Sequence, residues 1–184
     1  MGLGLGSVLP FIVWMVFGAA ALANSVPEPE TYRTTGYGDP TPATLDGARV
    51  ITTEEAYNLW EQGQSAFIDV LPRAERPPGL PEDTLWIDPT RDTVPGAIWL
   101  PNTGFGKLSA ARTAYLKHGL DRASGGDLTK PLVFLCLSNC WMSWNAARRA
   151  LLELGFTSVI WYPDGTDGWE QAGHPTETID ALPK

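Results

Sequence analysis

The stretch Leu132-Val-Phe-Leu-Cys136-Leu-Ser-Asn-Cys140-Trp-Met-Ser-Trp-Asn-Ala-Ala-Arg-Arg149 constrains the fold of this chain more than any other. A short apolar run with Val and Phe reads as a buried strand, and it ends in a cysteine. A tight loop carries the second cysteine, and a segment of helical period follows at once. Both cysteines of the protein lie here, so any thiol chemistry is confined to this loop. A strand that ends in a thiol just before a helix sets sulfur beside unpaired backbone N–H groups, which favours a thiolate.

A strand of this kind is stable only between neighbours, and the chain supplies them. Arg49-Val50-Ile51 is a short strand. Thr52 and Glu55 form a capping box for a helix with Ala56, Leu59 and Trp60 on its apolar face, which Gly63 stops. Residues 66–70 form a second buried-type strand, and Pro95 to Pro101 make a turn and a short strand. Leu108, Ala111, Tyr115 and Leu116 have helical spacing that the pattern ends at Gly119, before a surface turn at 124–127. A helix from Met142 to Leu154 is expected to stop at Gly155. A strand at 157–162, a turn at 163–167 and a short helix at 168–171 follow. Alternation of this kind predicts an α/β fold, a parallel sheet flanked by helices on both faces. Cys136 then stands at the carboxyl end of a strand, where such sheets gather their chemistry.

Three segments lie outside this scheme. Val8 to Ala23 is an uncharged apolar run ending in Ala21-Leu22-Ala23, so residues 1–23 read as a signal peptide, with an uncleaved membrane anchor as the alternative. The expected location is therefore periplasmic, with no membrane contact after cleavage. Residues 24–47, rich in Pro, Gly and Thr, read as an arm packed in part on the domain, with Tyr32 and Tyr37 as anchors. Residues 71–95 carry Pro72, Pro77, Pro78, Pro81 and Pro89 and read as a packed lid around Leu85, Trp86 and Ile87. A net charge of -8 with no basic cluster argues against nucleic acid as a partner.

Three roles stay open for the cysteines. Cys136 could carry a persulfide, Cys136 and Cys140 could exchange thiol and disulfide states, or they could form a permanent disulfide. Leu137, Ser138, Asn139, Trp141, Met142 and Ser143 would shape or support the loop. Trp141 and Trp144 either roof a pocket or pack in the core against Trp86 and Trp99, while Arg148 and Arg149 are expected to face solvent. Two cysteines without a nearby His do not complete a metal site, and no His follows them as c-type haem requires. His118 reads as a helix-end residue and His174 as part of a surface turn. No cofactor is evident.

Over most of residues 49–175 the chain resembles the rhodanese superfamily. The likeness is carried by Phe67-Ile-Asp-Val70, Val94-Pro-Gly-Ala-Ile98, Val133-Phe-Leu-Cys136, Leu152-Glu-Leu-Gly-Phe156 and Gly168-Trp-Glu-Gln-Ala-Gly173. It implies that Cys136 occupies the place of the catalytic cysteine. More narrowly, Cys140-Trp-Met-Ser-Trp-Asn-Ala-Ala147, Val159-Ile-Trp-Tyr-Pro-Asp-Gly-Thr-Asp-Gly-Trp169, Thr41-Pro-Ala-Thr-Leu45 and Trp99-Leu-Pro-Asn102 are similar to the exported proteins associated with PQQ-dependent catabolism and named for a CXXCW motif. That resemblance implies an accessory role beside a PQQ-dependent alcohol dehydrogenase system or its thiol donor. The chain departs from both patterns. It has three residues between its cysteines, and it lacks the loop arginine with which rhodaneses hold an anionic donor: no basic residue stands between Cys136 and Trp144.

Overall fold

A computed structural model describes residues 26–183, so the expected signal segment lies outside the described residues. Among the described residues, four helices and seven strands follow one another: β1 (Arg49–Val50), α1 (Thr53–Gln62), β2 (Ala66–Asp69), β3 (Arg91–Thr93), β4 (Ile98–Trp99), α2 (Ala110–Ser124), β5 (Leu132–Leu135), α3 (Trp141–Leu152), β6 (Val159–Trp161), α4 (Gly165–Gln171) and β7 (Glu177–Ile179). Five strands form a parallel sheet in the order β1-β6-β5-β2-β4. β5 is central, and alternate residues feed opposite cores. Leu132 and Phe134 join α2 and α3 on one face, while Val133 and Leu135 join α1 and α4 on the other. Each of these side chains is fully buried, a contribution of roughly 2–3 kcal/mol apiece.

The capping box of α1 is present, with Thr52 and Glu55 reciprocally bonded and Gly63 in the left-handed region at its end. Three helix bounds differ from expectation. α2 runs through Gly119 to Ser124, and Gly125 with φ 67° ends it. Gly119 is instead a site of close approach, where a Cβ would lie 2.4 Å from the buried Leu100 side chain. His118 accordingly sits inside the helix. α4 begins at Gly165, within the expected turn, and α3 ends at Leu152, short of Gly155.

The Pro-rich segment does not pack at its centre: Leu85 is 82% and Ile87 77% exposed. It is tied at its ends, where Arg73 and Asn102 exchange backbone-to-amide hydrogen bonds and Arg112 meets Glu75 at 2.9 Å. Its last residues form β3, which pairs antiparallel with β7, a ladder no local pattern announced. The arm lies along α3. Tyr32 donates to Glu153 at 2.5 Å, Arg148 donates to the Glu30 carbonyl, and the Trp144 indole donates to the Thr44 carbonyl. Leu45, near the end of the arm, is buried in the core.

Candidate functional site

The site is built where β5 ends. Cys136 continues the strand into the core and is fully buried, and Cys140 caps the start of α3 at 8% exposure. The two are joined as a disulfide, with Cα atoms 6.0 Å apart. Asn139 takes φ 50° to turn the chain between them, a backbone state that Asn tolerates better than most residues. Leu137, Ser138 and Asn139 form an exposed rim over the buried sulfurs.

Residues remote in sequence hold this loop. Asp167 accepts both the backbone N–H and the hydroxyl of Ser138 on one oxygen, at 3.0 and 2.7 Å. Thr166 directs its N–H and its hydroxyl to the Cys136 carbonyl, at 2.9 and 3.3 Å. Arg91 donates to the Thr166 hydroxyl at 2.7 Å and pairs at 2.9 Å with Asp69, a fully buried carboxylate at the end of β2. Gly165 makes this approach feasible: its φ is +55°, and a Cβ there would lie 2.5 Å from the Cys136 carbonyl oxygen.

On the helix side, the Trp141 N–H is taken by the Tyr37 carbonyl of the arm at 3.0 Å. The N–H groups of Ser138 and Trp141 are thus engaged within the chain. Trp141 and Trp144 meet edge-to-face at 5.4 Å and are buried under the arm, with Arg33 over the Trp141 ring at 5.1 Å. Met142 is buried against Gly104, and Ser143 donates to the Cys140 carbonyl while accepting the Trp161 indole N–H. Trp141, Met142 and Ser143 thus lie in the core behind the loop. Arg149 corrects the expectation of a solvent-facing pair: it is 3% exposed and donates to the carbonyls of Phe105 and Gly106.

Beside the loop opens a cavity of about 430 Å³ lined by Thr53, Ser138, Asp164, Asp167, Gly168, Gln171 and Ala172. Its charged lining residues are both acids. Behind its lining, Tyr162 donates to Thr53, which donates to Asp164, and burial pushes the Tyr162 phenol up to about 12. His174 is remote from the cysteines and stacks on Tyr57 at 4.0 Å.

Sequence reading missed Arg91, Thr166, Asp167 and Tyr37 as loop partners. One signal was present. Asp69 stands in an apolar strand, and a carboxylate buried there requires a partner.

Three solved structures are among those similar in fold. A thiosulfate sulfurtransferase from Pseudomonas aeruginosa shares 16% identity at a TM-score of 0.47 over 73% of this chain, which spans only 21% of that longer protein. A rhodanese-like domain from Anabaena shares 17% identity at 0.45, covering 71% of this chain and 79% of that one. The polysulfide-sulfur transferase homodimer of Wolinella succinogenes shares 20% at 0.44, with the same coverage. Curated proteins yield no significant match. The family described as rhodanese-like domain matches residues 52–172, from the first helix cap to the end of α4, and the chain belongs to that family.

Proposed function

We propose that this is an exported accessory protein of PQQ-dependent alcohol oxidation whose Cys136–Cys140 pair exchanges electrons with a periplasmic dithiol partner. The observation that carries the reading is the disulfide at the end of β5, in a loop whose Ser138 N–H already binds the Asp167 carboxylate. An anionic sulfur donor would meet that carboxylate instead of an arginine, and like charges at contact distance repel. Persulfide transfer needs the donor anion held in the loop, where Asp167 occupies Ser138, whereas a partner thiolate attacks at Cys140 and needs no anion site there. The apolar run ending at Ala23 supports export, and the likeness around Cys140 and Trp141 supports the association with alcohol oxidation.

The exchange proceeds in two displacements. A partner thiolate attacks Cys140 Sγ, the less buried sulfur. The S–S bond breaks, and Cys136 leaves with the electron pair and takes a proton. The partner's second thiolate then attacks its own sulfur in the mixed disulfide and expels the Cys140 thiolate at the start of α3, where helix N–H groups favour the anion. Two electrons and one proton pass to the cysteine pair, which ends as the Cys136 thiol and the Cys140 thiolate, and the partner leaves as a disulfide.

Intact mass after alkylation tests this. Folded protein should bind no alkylating agent before treatment with a small dithiol and two equivalents after it. A disulfide that stays closed until the protein unfolds overturns the exchange. The exposed Leu137-Ser138-Asn139 rim over buried sulfurs favours a second reading, a binding module whose recognition loop is braced by the disulfide. Full growth on the relevant alcohol with both cysteines replaced by Ser would select that module over the exchanger.

A further inference from the structure

We propose that Arg91 is a positioning residue of the cysteine pair, acting through Thr166 to keep Cys136 within reach of Cys140 when the disulfide is open. The inference rests on the exchange reading. Arg91 belongs to β3, at the close of the Pro-rich segment, and nothing in the local sequence ties it to the cysteine loop. Its guanidinium is oriented by Asp69, which is itself fixed by accepting the Leu71 N–H at 2.8 Å. The free edge of the fork donates to Thr166, and Thr166 passes the restraint to the Cys136 carbonyl. Arg91 therefore restrains the thiol-bearing residue without touching sulfur.

What such a relay contributes depends on the redox state. A buried ion pair gains little net stability, because desolvation offsets most of its Coulomb attraction. Its value lies in direction. With the disulfide closed, the covalent bond already holds the loop, and the relay is redundant there. With the bond open, only non-covalent ties hold the loop: Thr166 on Cys136, Asp167 on Ser138, and α3 beyond Cys140. Restraint at Cys136 raises the effective concentration of one thiol near the other, so it favours closure. The same ladder couples the Pro-rich segment and β7 to the cysteine pair.

The test equilibrates full-length protein with graded mixtures of reduced and oxidised glutathione, then quenches, alkylates and weighs it. Arg91→Gln and Thr166→Val should each open the disulfide at about tenfold less reducing conditions than the parent protein, the loss of effective concentration expected from a freed loop end. Because both act in one relay, the double variant should shift no further than either single one, and Thr166→Ser should stay within about twofold of the parent. A merely structural role would lower the melting temperature of the oxidised and reduced forms alike and leave this equilibrium unmoved. Shifts below about twofold in both single variants, or shifts that multiply in the double, overturn the inference. Should Arg91→Gln fail to fold, Thr166→Val and Thr166→Ser carry the test, since both leave the Asp69–Arg91 pair intact. A parent disulfide that opens at no mixture overturns the exchange reading and this inference together. A parent that opens while the variants match it overturns the inference alone.

Discussion

Arg149 and Arg148 are neighbours with opposite fates. Arg149 is buried, with its guanidinium on two carbonyls and its Nε 3.4 Å from Glu153, while Arg148 lies over the Trp144 ring at 5.2 Å and donates to the arm. Replacing Arg149 with Met keeps much of the stem's packing but strips the Phe105 and Gly106 carbonyls of a charged donor. Denaturant unfolding should register a loss of about 2–3 kcal/mol, against under about 0.5 kcal/mol for a surface cation. A matching small loss would show that water replaces the guanidinium. Nothing in an Arg-Arg pair says which member is buried, because one step along a helix turns the side chain by about 100° and the buried face is known only once the neighbours are in place. The loop residues divide in the same way. Cys136 and Cys140 were legible as the one place for thiol chemistry, with their role left open. Asp167 was not, because the bond to Ser138 crosses 29 positions of chain.

At the level of elements, glycine misled the reading in one place and served it in another. Gly63 ends α1 as its left-handed conformation requires, whereas Gly119 lies in mid-helix because Leu100 occupies the space a side chain would need. Gly119→Ala should therefore destabilise the protein by up to about 2 kcal/mol: the propensity gain of about 1 kcal/mol is set against overpacking of roughly 1–3 kcal/mol. Equilibrium unfolding decides the sign, and a stabilised variant would mean that Leu100 repacks freely. Gly165→Ala should be worse, since it combines a positive φ with a collision against the Cys136 carbonyl. Beyond unfolding at lower denaturant, it should displace the cysteine loop, read as faster alkylation after reduction. Strand and helix order emerged from periodicity, but β3 and β7 did not, since a three-residue ladder has no period and its partners are 86 residues apart at Asp92 and Thr178.

For the molecule as a whole, a titration effect and a cross-link effect are expected. Burial, aided for Tyr32 by its bond to Glu153, pushes the phenols of Tyr32, Tyr115 and Tyr162 up to about 12. A group whose folded value lies above its unfolded one contributes fully below the unfolded value, and that contribution is lost as pH rises through the folded one. Stability should thus hold up to about pH 10 and fall between about 10 and 12, in step with tyrosinate absorbance. A melting temperature that stays level across that window would contradict the burial of these phenols. The disulfide closes a very short loop, and chain entropy assigns it only about 2 kcal/mol. The domain should therefore remain folded when Cys136 and Cys140 are both replaced by Ser, with unchanged far-ultraviolet circular dichroism and a modestly lower midpoint. Unfolding of that variant would make the bond a structural necessity.

Local pattern alone determined the α/β class, the central buried strand, the α1 capping box and the confinement of thiol chemistry to Cys136 and Cys140. These rest on periodicity, capping and residue type, which act over a few residues at a time. Only the tertiary structure decided that Arg149 turns inward, that Leu85 and Ile87 stay exposed, and that Asp69, Arg91 and Thr166 converge on the carbonyl of Cys136. The loop lacks a cation in sequence, yet the fold brings one within two hydrogen bonds of it. The physical reason is that a hydrogen bond or ion pair depends on separation in space, and a parallel sheet with crossover helices makes spatial neighbours of strand ends that are far apart along the chain.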